Sequence, residues 1–563
     1  MTSSVPGNDA RWSRRVPVLV AGGSLLVLLA LAPLVFQSHS FTSIDTAIKL
    51  IQATELSRSG FQSMALSYPA HDLDPTEQFL PFEDPFVFLS AGKWQSIFSS
   101  FYALVAAPFV PHGVEWLVAL AMMGAVAAVT STSRLAGAHP MAGPIVLLAT
   151  PVWLYGLLPN ETALALGCGI AAMAVATRVG GSRGDWVAGL LLGVATLLRD
   201  ESLLMAPGLL YARHLTGTPV RQLPRTLVAV GCPILGMAVL DHWWFQRPML
   251  AHLRHAVPGF DALLPRSRAR LPELPVMGWQ ERWTTLVEYW LLGFAGVAVG
   301  AALTVWIALA HGLKRLTPVL VATLVAATAV LHVVDLAMLV PAPRIVGGLL
   351  RLAPFLLLAV LPRANGEPAS PLTRLAWVTS GCYLAVVALT LNTEGGKPTG
   401  PRLIIGLWPL LAAAAIDTLS SYIAAARLSW TSRATAIAGT ALVIGSVVME
   451  MAVVLPVRAA RNTEDAEAAR MVRAIDDRVI VLDKMFEIDI VGTLYFERKL
   501  LLGRERQWQD LSRTLAAHGV DRFTHIARPP TSTPRLPEYR RAEVWDSGRF
   551  IISRWVRETS ASP

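Results

Sequence analysis

Charge is what this 563-residue chain lacks: Asp, Glu, Lys and Arg make up 15% of it, against 53% hydrophobic residues. A soluble domain is typically about 25% charged. The shortage is uneven, because charges crowd into residues 457–563 and leave residues 1–456 still more apolar. Cysteine is scarce too. Cys168, Cys232 and Cys382 all lie in apolar runs, with no metal-ligand spacing and no disulfide framework. No H-E-x-x-H or related spacing joins His242, His252, His255 or His332, so no zinc site is expected. No G-x-x-x-x-G-K-[ST] loop occurs, which argues against an ATP-driven pump and assigns no nucleotide to the C-terminal region. Together these absences exclude a soluble enzyme, a secreted disulfide scaffold and a disordered protein.

What is abundant is long apolar sequence. About thirteen runs reach or approach the ~20 residues that cross a ~30 Å hydrocarbon core. They cover 16–37, 114–134, 142–158, 162–178, 186–198, 202–213, 226–244, 286–310, 317–340, 345–361, 375–391, 402–418 and 434–456. The first follows Arg11, Arg14 and Arg15. Ala30-Leu31-Ala32 looks like a small-residue cleavage site and Arg14-Arg15 like a twin-arginine signal, but Val16–Phe36 is long enough to span, so a retained first helix is expected. The balance of 48 Lys+Arg against 39 Asp+Glu gives +9. Because the arginines flank apolar runs, this charge reads as topogenic and not as a nucleic-acid surface.

With a cytoplasmic N-terminus, alternate connections should be basic. They carry Arg134; Arg178 and Arg183; Arg213, Arg221 and Arg225; Lys314 and Arg315; Arg363 and Arg374; and Arg427 and Arg433. The opposite connections are 38–113, the turn Asn160-Glu161, 245–283, 341–344 and 392–401. An odd span count then puts residues 457–563 outside the cell. The expected division is thus a helical membrane domain over 1–456, with a long first outer loop over 38–113, and a small α/β domain over 457–563. In the loop, apolar spacing over Ile44–Leu56 predicts an interfacial helix, and Trp94–Val110 is read as a second. In the tail, helices are expected over 463–475, 488–497 and 504–518. Strands are expected over 479–482 and 523–526, with a terminal hairpin around Asp546-Ser547-Gly548.

The candidate chemistry lies at the outer ends of spans. Asp45, just past the first span, has the position of a general base, or of an acid that opens a helix. Asp72 and Asp74, followed by Glu77, form a D-x-D that allows a divalent metal ion, or a solvated loop. Glu161, Arg199 with Asp200 and Glu201, Arg344, Lys397 and Arg402 are ionisable groups at membrane depth, which pair or face a cavity. The cations among them, with Lys93, suit a lipid phosphate; internal ion pairing (Arg199) and snorkelling (Arg344, Arg402) are the alternatives. Arg266, Arg268 and Arg270 break the charge rule and are expected to meet anionic headgroups or the tail.

Ser43-Ile44-Asp45, the long loop ending in Gly92-Lys93-Trp94-Gln95-Ser96-Ile97-Phe98, the charged break Leu197-Leu198-Arg199-Asp200-Glu201 and the late loop Glu394-Gly395-Gly396-Lys397-Pro398-Thr399-Gly400-Pro401-Arg402 give a layout that resembles the GT-C superfamily of membrane glycosyltransferases. The likeness is to its bacterial protein-mannosyltransferase-like and lipid A aminoarabinose transferase-like branch, and it runs over nearly the whole chain. It implies a multi-pass protein of the bacterial plasma membrane that takes a polyprenyl-phosphate-linked sugar as donor and a lipid, glycan or protein as acceptor. Asp45 matches the first acid of the family's loop motif, whose second acid is here Thr46, so a metal would need Asp72, Asp74 or Glu77. A transporter or flippase of lipid-linked saccharides is the alternative, and a non-catalytic membrane subunit a third. The absence of an internal repeat and the gathering of charges at one face favour the enzyme.

Overall fold

The computed structural model describes residues 9–37, 40, 43–82, 86–247, 317–341, 349–390, 402–529 and 534–558. The expected span over 286–310, with Arg266, Arg268, Arg270, Arg344 and Lys397, lies outside them. Among the described residues, six helices are long and apolar enough to cross a membrane: Arg15–Val35, Val114–Ser133, Val220–Trp243, Thr317–Leu339, Ile404–Ala425 and Trp430–Ala474. The chain is a multi-pass membrane protein by this measure. Apolar side chains that stay exposed on these helices, such as Leu26 at 70%, Leu235 at 67% and Ile437 at 65%, have lipid as their natural solvent.

Several expected spans are broken. Residues 142–158 form Ala142–Ala149 and the short turn Val152–Tyr155, because Pro151 at the junction has no N–H to continue the ladder. Residues 345–361 likewise divide into Leu349–Leu352 and the 3-10 segment Pro354–Val360. The stretch around Arg199 divides into Gly181–Leu198, the 3-10 turn Asp200–Met205 and Ala206–Leu215. Small residues let the central helices touch backbone to backbone. A methyl group added at Gly124 would lie 2.5 Å from the carbonyl carbon of Ala163, so Val114–Ser133 crosses directly against Thr162–Arg178.

The first loop and the C-terminal region share one hydrophobic core, joined by the helix residues Leu117, Ala165, Leu198 and Met237, and a second core lies among the membrane helices. The loop follows the N-terminal helix α1 (Asp9–Val35) and begins with α2 (Ile44–Arg58). The helix expected over 94–110 is only partly present. Val87–Ser90 (β1) and Lys93–Ser96 (β2) pair as a hairpin across Ala91-Gly92, both at positive φ, and the helix is confined to Ser100–Ala106. Ala91-Gly92 adopts the left-handed backbone of a tight hairpin turn, which pairs Trp94 in a strand instead of a helix.

The tail is a five-stranded sheet. Val479–Leu482 (β3), Lys499–Leu502 (β4) and Arg522–Ala527 (β5) run parallel, and the hairpin Tyr539–Asp546 (β6) with Ile551–Arg557 (β7) completes the order β4-β3-β5-β7-β6. Strand β4 was not expected, because its apolar run follows the helical stretch without a turn signal. The expected helix over 463–475 is the end of a longer one, Leu455–Ala474, which carries the last membrane helix directly into the tail. Loop and tail are tied by Leu502 N donating to Phe79 O at 2.8 Å, and by Lys499 with Asp72. They therefore lie on the same side of the membrane, as the charge bias predicts. At the opposite end Arg178 donates to the carbonyl of Arg134, and Arg213 pairs with Asp185 at 2.7 Å.

Candidate functional site

Three chain breaks converge between the two cores. The first is the start of α2. The Ser43 hydroxyl caps it by accepting the Thr46 N–H at 3.3 Å, and Asp45 occupies the first turn, where a carboxylate favours the helix dipole. Asp45 is 7% exposed. Lys49 follows one turn later and so lies on the same face. The second break is the turn Asn160-Glu161, where the Asn160 side chain accepts the Thr162 N–H at 3.0 Å and Glu161 opens Thr162–Arg178. The third is Arg199, held extended between a helix and a 3-10 turn. A charged residue with extended backbone ends the apolar helix and turns its guanidinium inward.

These breaks build one buried ionic chain. Lys49 Nζ lies 2.6 Å from Glu161 Oε1, Arg199 Nη1 lies 3.6 Å from the same oxygen, and Arg199 Nη2 lies 2.7 Å from Glu201 Oε1. Arg199 Nη1 also donates to the Thr162 hydroxyl at 2.9 Å. The Lys49 ammonium sits 4.4 Å from the centre of the Phe98 ring, a cation–π contact that shields it from water. Tyr102 donates to the Pro159 carbonyl at 2.9 Å and closes the floor beneath the turn. Burial alone would raise the pKa of Glu161, but Lys49 and Arg199 hold it below the ordinary carboxylate range. Its second oxygen, Oε2, has no hydrogen-bond partner among the described residues and remains available to a donor.

Of the expected set, the structure brings Glu161 and Arg199 together, and Asp45 stands one helical turn before Lys49, which joins them. Arg402 opens a 3-10 segment, Arg402–Leu407, whose Gly406 packs beside Met205 and Tyr383, so this segment lines the Arg199 turn. Lys93 is exposed on the hairpin, away from the ionic chain. Asp72 and Asp74 serve separate purposes. Asp72 pairs with Lys499 of the tail. Asp74 is buried and spends its oxygens on the Tyr68 hydroxyl at 2.9 Å, the Thr76 hydroxyl at 3.1 Å and the N–H groups of Gln78 at 3.1 Å and Phe79 at 2.7 Å. Among the described residues no group of three or more His, Cys, Asp or Glu could hold a metal ion. The acids read as a D-x-D pair thus do not fit a divalent ion, because one is a surface partner and the other a loop staple.

Lys49 escaped the sequence reading. Its signal was there: one lysine within Ala47-Ile48-Lys49-Leu50-Ile51, four residues after Asp45, on a helix whose neighbours are all buried.

No protein-family model matches the chain, and no curated relative matches it. Solved structures similar to it include ArnT from Cupriavidus metallidurans bound to undecaprenyl phosphate, at 13% identity and TM-score 0.46, covering 97% of this chain and 99% of that one. The apo state of the same protein gives 13% identity and TM-score 0.48, covering 97% and 98%. The Archaeoglobus fulgidus oligosaccharyltransferase in complex with Zn and sulfate gives 11% identity and TM-score 0.44, covering 89% and 67%.

Proposed function

We propose that the chain is a glycosyltransferase that moves a sugar from a polyprenyl-phosphate-linked donor to an acceptor hydroxyl at the outer rim of the bilayer. The observation that supports this reading is the buried run Lys49–Glu161–Arg199–Glu201, with Asp45 one helical turn before Lys49, at the ends of the membrane helices. The donor's prenyl tail stays in lipid while its phosphosugar enters from the side. The acceptor oxygen forms a bond to the anomeric carbon, and the bond from that carbon to the phosphate oxygen breaks. The electron pair leaves with the phosphate, and Asp45 takes the acceptor proton. Attack opposite the leaving group inverts the anomeric centre.

Each charge then has a task. Arg199 is the cation for the departing phosphate, because its 3.6 Å contact with Glu161 is loose enough to exchange for a phosphate oxygen. Lys49 lies on the Asp45 face and keeps that face positive as charge grows. Glu161 and Glu201 are positioning residues that orient the two cations. Lys397 and Arg402 join them in the proposal as further phosphate ligands from the late loop. The acceptor is a lipid, glycan or protein hydroxyl, and the protein sits in the bacterial plasma membrane with its tail outside. A transporter reading finds less support, since the ionic chain lies at one end of the helices and not at their middle.

Sugar transfer from polyprenyl-phospho-sugars in proteoliposomes tests the proposal. Asp45→Asn should lower kcat about 10²–10⁴-fold with donor binding retained, the usual contribution of a general base. Wild-type turnover that persists in this variant removes Asp45 from the chemistry.

A further inference from the structure

We propose that Arg458 and Arg461 form a phosphate-binding subsite where the last membrane helix enters the tail domain, separate from the Arg199 site. Both lie on the first turns of Leu455–Ala474, directly after the apolar Val453-Val454, where the apolar run ends. The helix is fixed there by Asn462, whose side chain donates to the carbonyl of Val35 at the end of the first helix.

Arg458 is 5% exposed, and its Nε is buried with no hydrogen-bond partner among the described residues. Its electrostatic neighbours are Arg461, Tyr155, Asp465 and Arg549. The one carboxylate in that set, Asp465, is paired with Arg549. Asp489, the next acid, is held by Arg528 at 3.2 Å. Arg458 and Arg461 thus face an acid that Arg549 already neutralises. A buried guanidinium N–H without an acceptor is expensive, and an anion that accepts two parallel N–H bonds relieves both the desolvation and the repulsion. Surface snorkelling does not describe Arg458, which is enclosed. The shared chemistry of the ligand is a phosphate on a membrane-anchored lipid, either the polyprenyl carrier or an anionic phospholipid. Tyr155 interacts electrostatically with Arg458 and also with Arg199, so the subsite borders the transfer site without sharing its acids.

The subsite does not depend on the transferase reading, because its test involves no turnover. Full-length protein in detergent is stripped of lipid and titrated with inorganic phosphate at constant ionic strength, with thermal stability as the readout. Saturable stabilisation is expected. Arg461→Gln and Arg458→Lys should each weaken the apparent affinity roughly tenfold or more, the size of one lost charge-assisted hydrogen bond. Arg461 is only half-buried, so its variant keeps the test valid if substitution of Arg458 impairs folding. Competition by polyprenyl phosphate but not phosphatidylglycerol assigns the site to the carrier, and the reverse assigns it to the bilayer. An absent response in wild type, or unchanged affinity in Arg461→Gln, overturns the proposal.

Discussion

Replacing Lys49 by Met leaves Glu161 buried with its nearest cation 3.6 Å away instead of 2.6 Å. The side chains are 10% and 5% exposed, so water cannot take the place of the ammonium. Removing one member of such a pair destabilises by about 3–5 kcal/mol, whereas an exposed pair is worth ~0–1 kcal/mol. Met keeps the volume and the contact with Phe98, which isolates charge from packing. The double variant Lys49→Met with Glu161→Gln removes both charges together and should recover most of the loss. Its coupling energy should then approach the single-variant cost in reversible unfolding from mixed micelles. Transfer activity should stay low in both variants if Lys49 also faces the donor. A Lys49→Met cost below ~1 kcal/mol would refute the account of a closed ionic chain and return Lys49 to a solvated surface.

Burial raises the pKa of Glu487 to about 8 and of Asp489 to about 7, despite Arg528 beside them, while burial lowers His525 to about 3. The two carboxylates bind more protons folded than unfolded, so their contribution falls as pH rises toward 8. His525 acts in the opposite sense, but only below the ordinary histidine value of 6.5. Between pH ~6.5 and ~8 the tail should therefore lose stability with rising pH, and Asp489→Asn should flatten the melting profile there. Gly124→Ala should destabilise by about 1–3 kcal/mol, since the added methyl meets the rigid backbone of Ala163 and Leu164; unchanged melting would show that the helices separate freely. Asp74→Asn should lower the melting temperature, whereas Asp72→Asn should change stability by less than ~1 kcal/mol, because its partnership with Lys499 is exposed. Equal effects of the two would contradict their different placements.

The membrane class, the helix at Ile44 and the breaks at Arg199 and Asn160 were legible in residue order. Each follows from local physics: apolar length against bilayer thickness, apolar spacing along a helix and the refusal of charge to continue an apolar helix. The partnerships were not. Lys49 and Glu161 are 112 positions apart, and Asp72 meets Lys499 across 427, separations at which spacing carries no signal. Two acids that look like one motif took separate partners, and Trp94 entered a hairpin because Ala91-Gly92 turned the chain back. A sequence shows which groups are too costly to leave alone in an apolar setting, and only packing decides which counter-charge lies within reach.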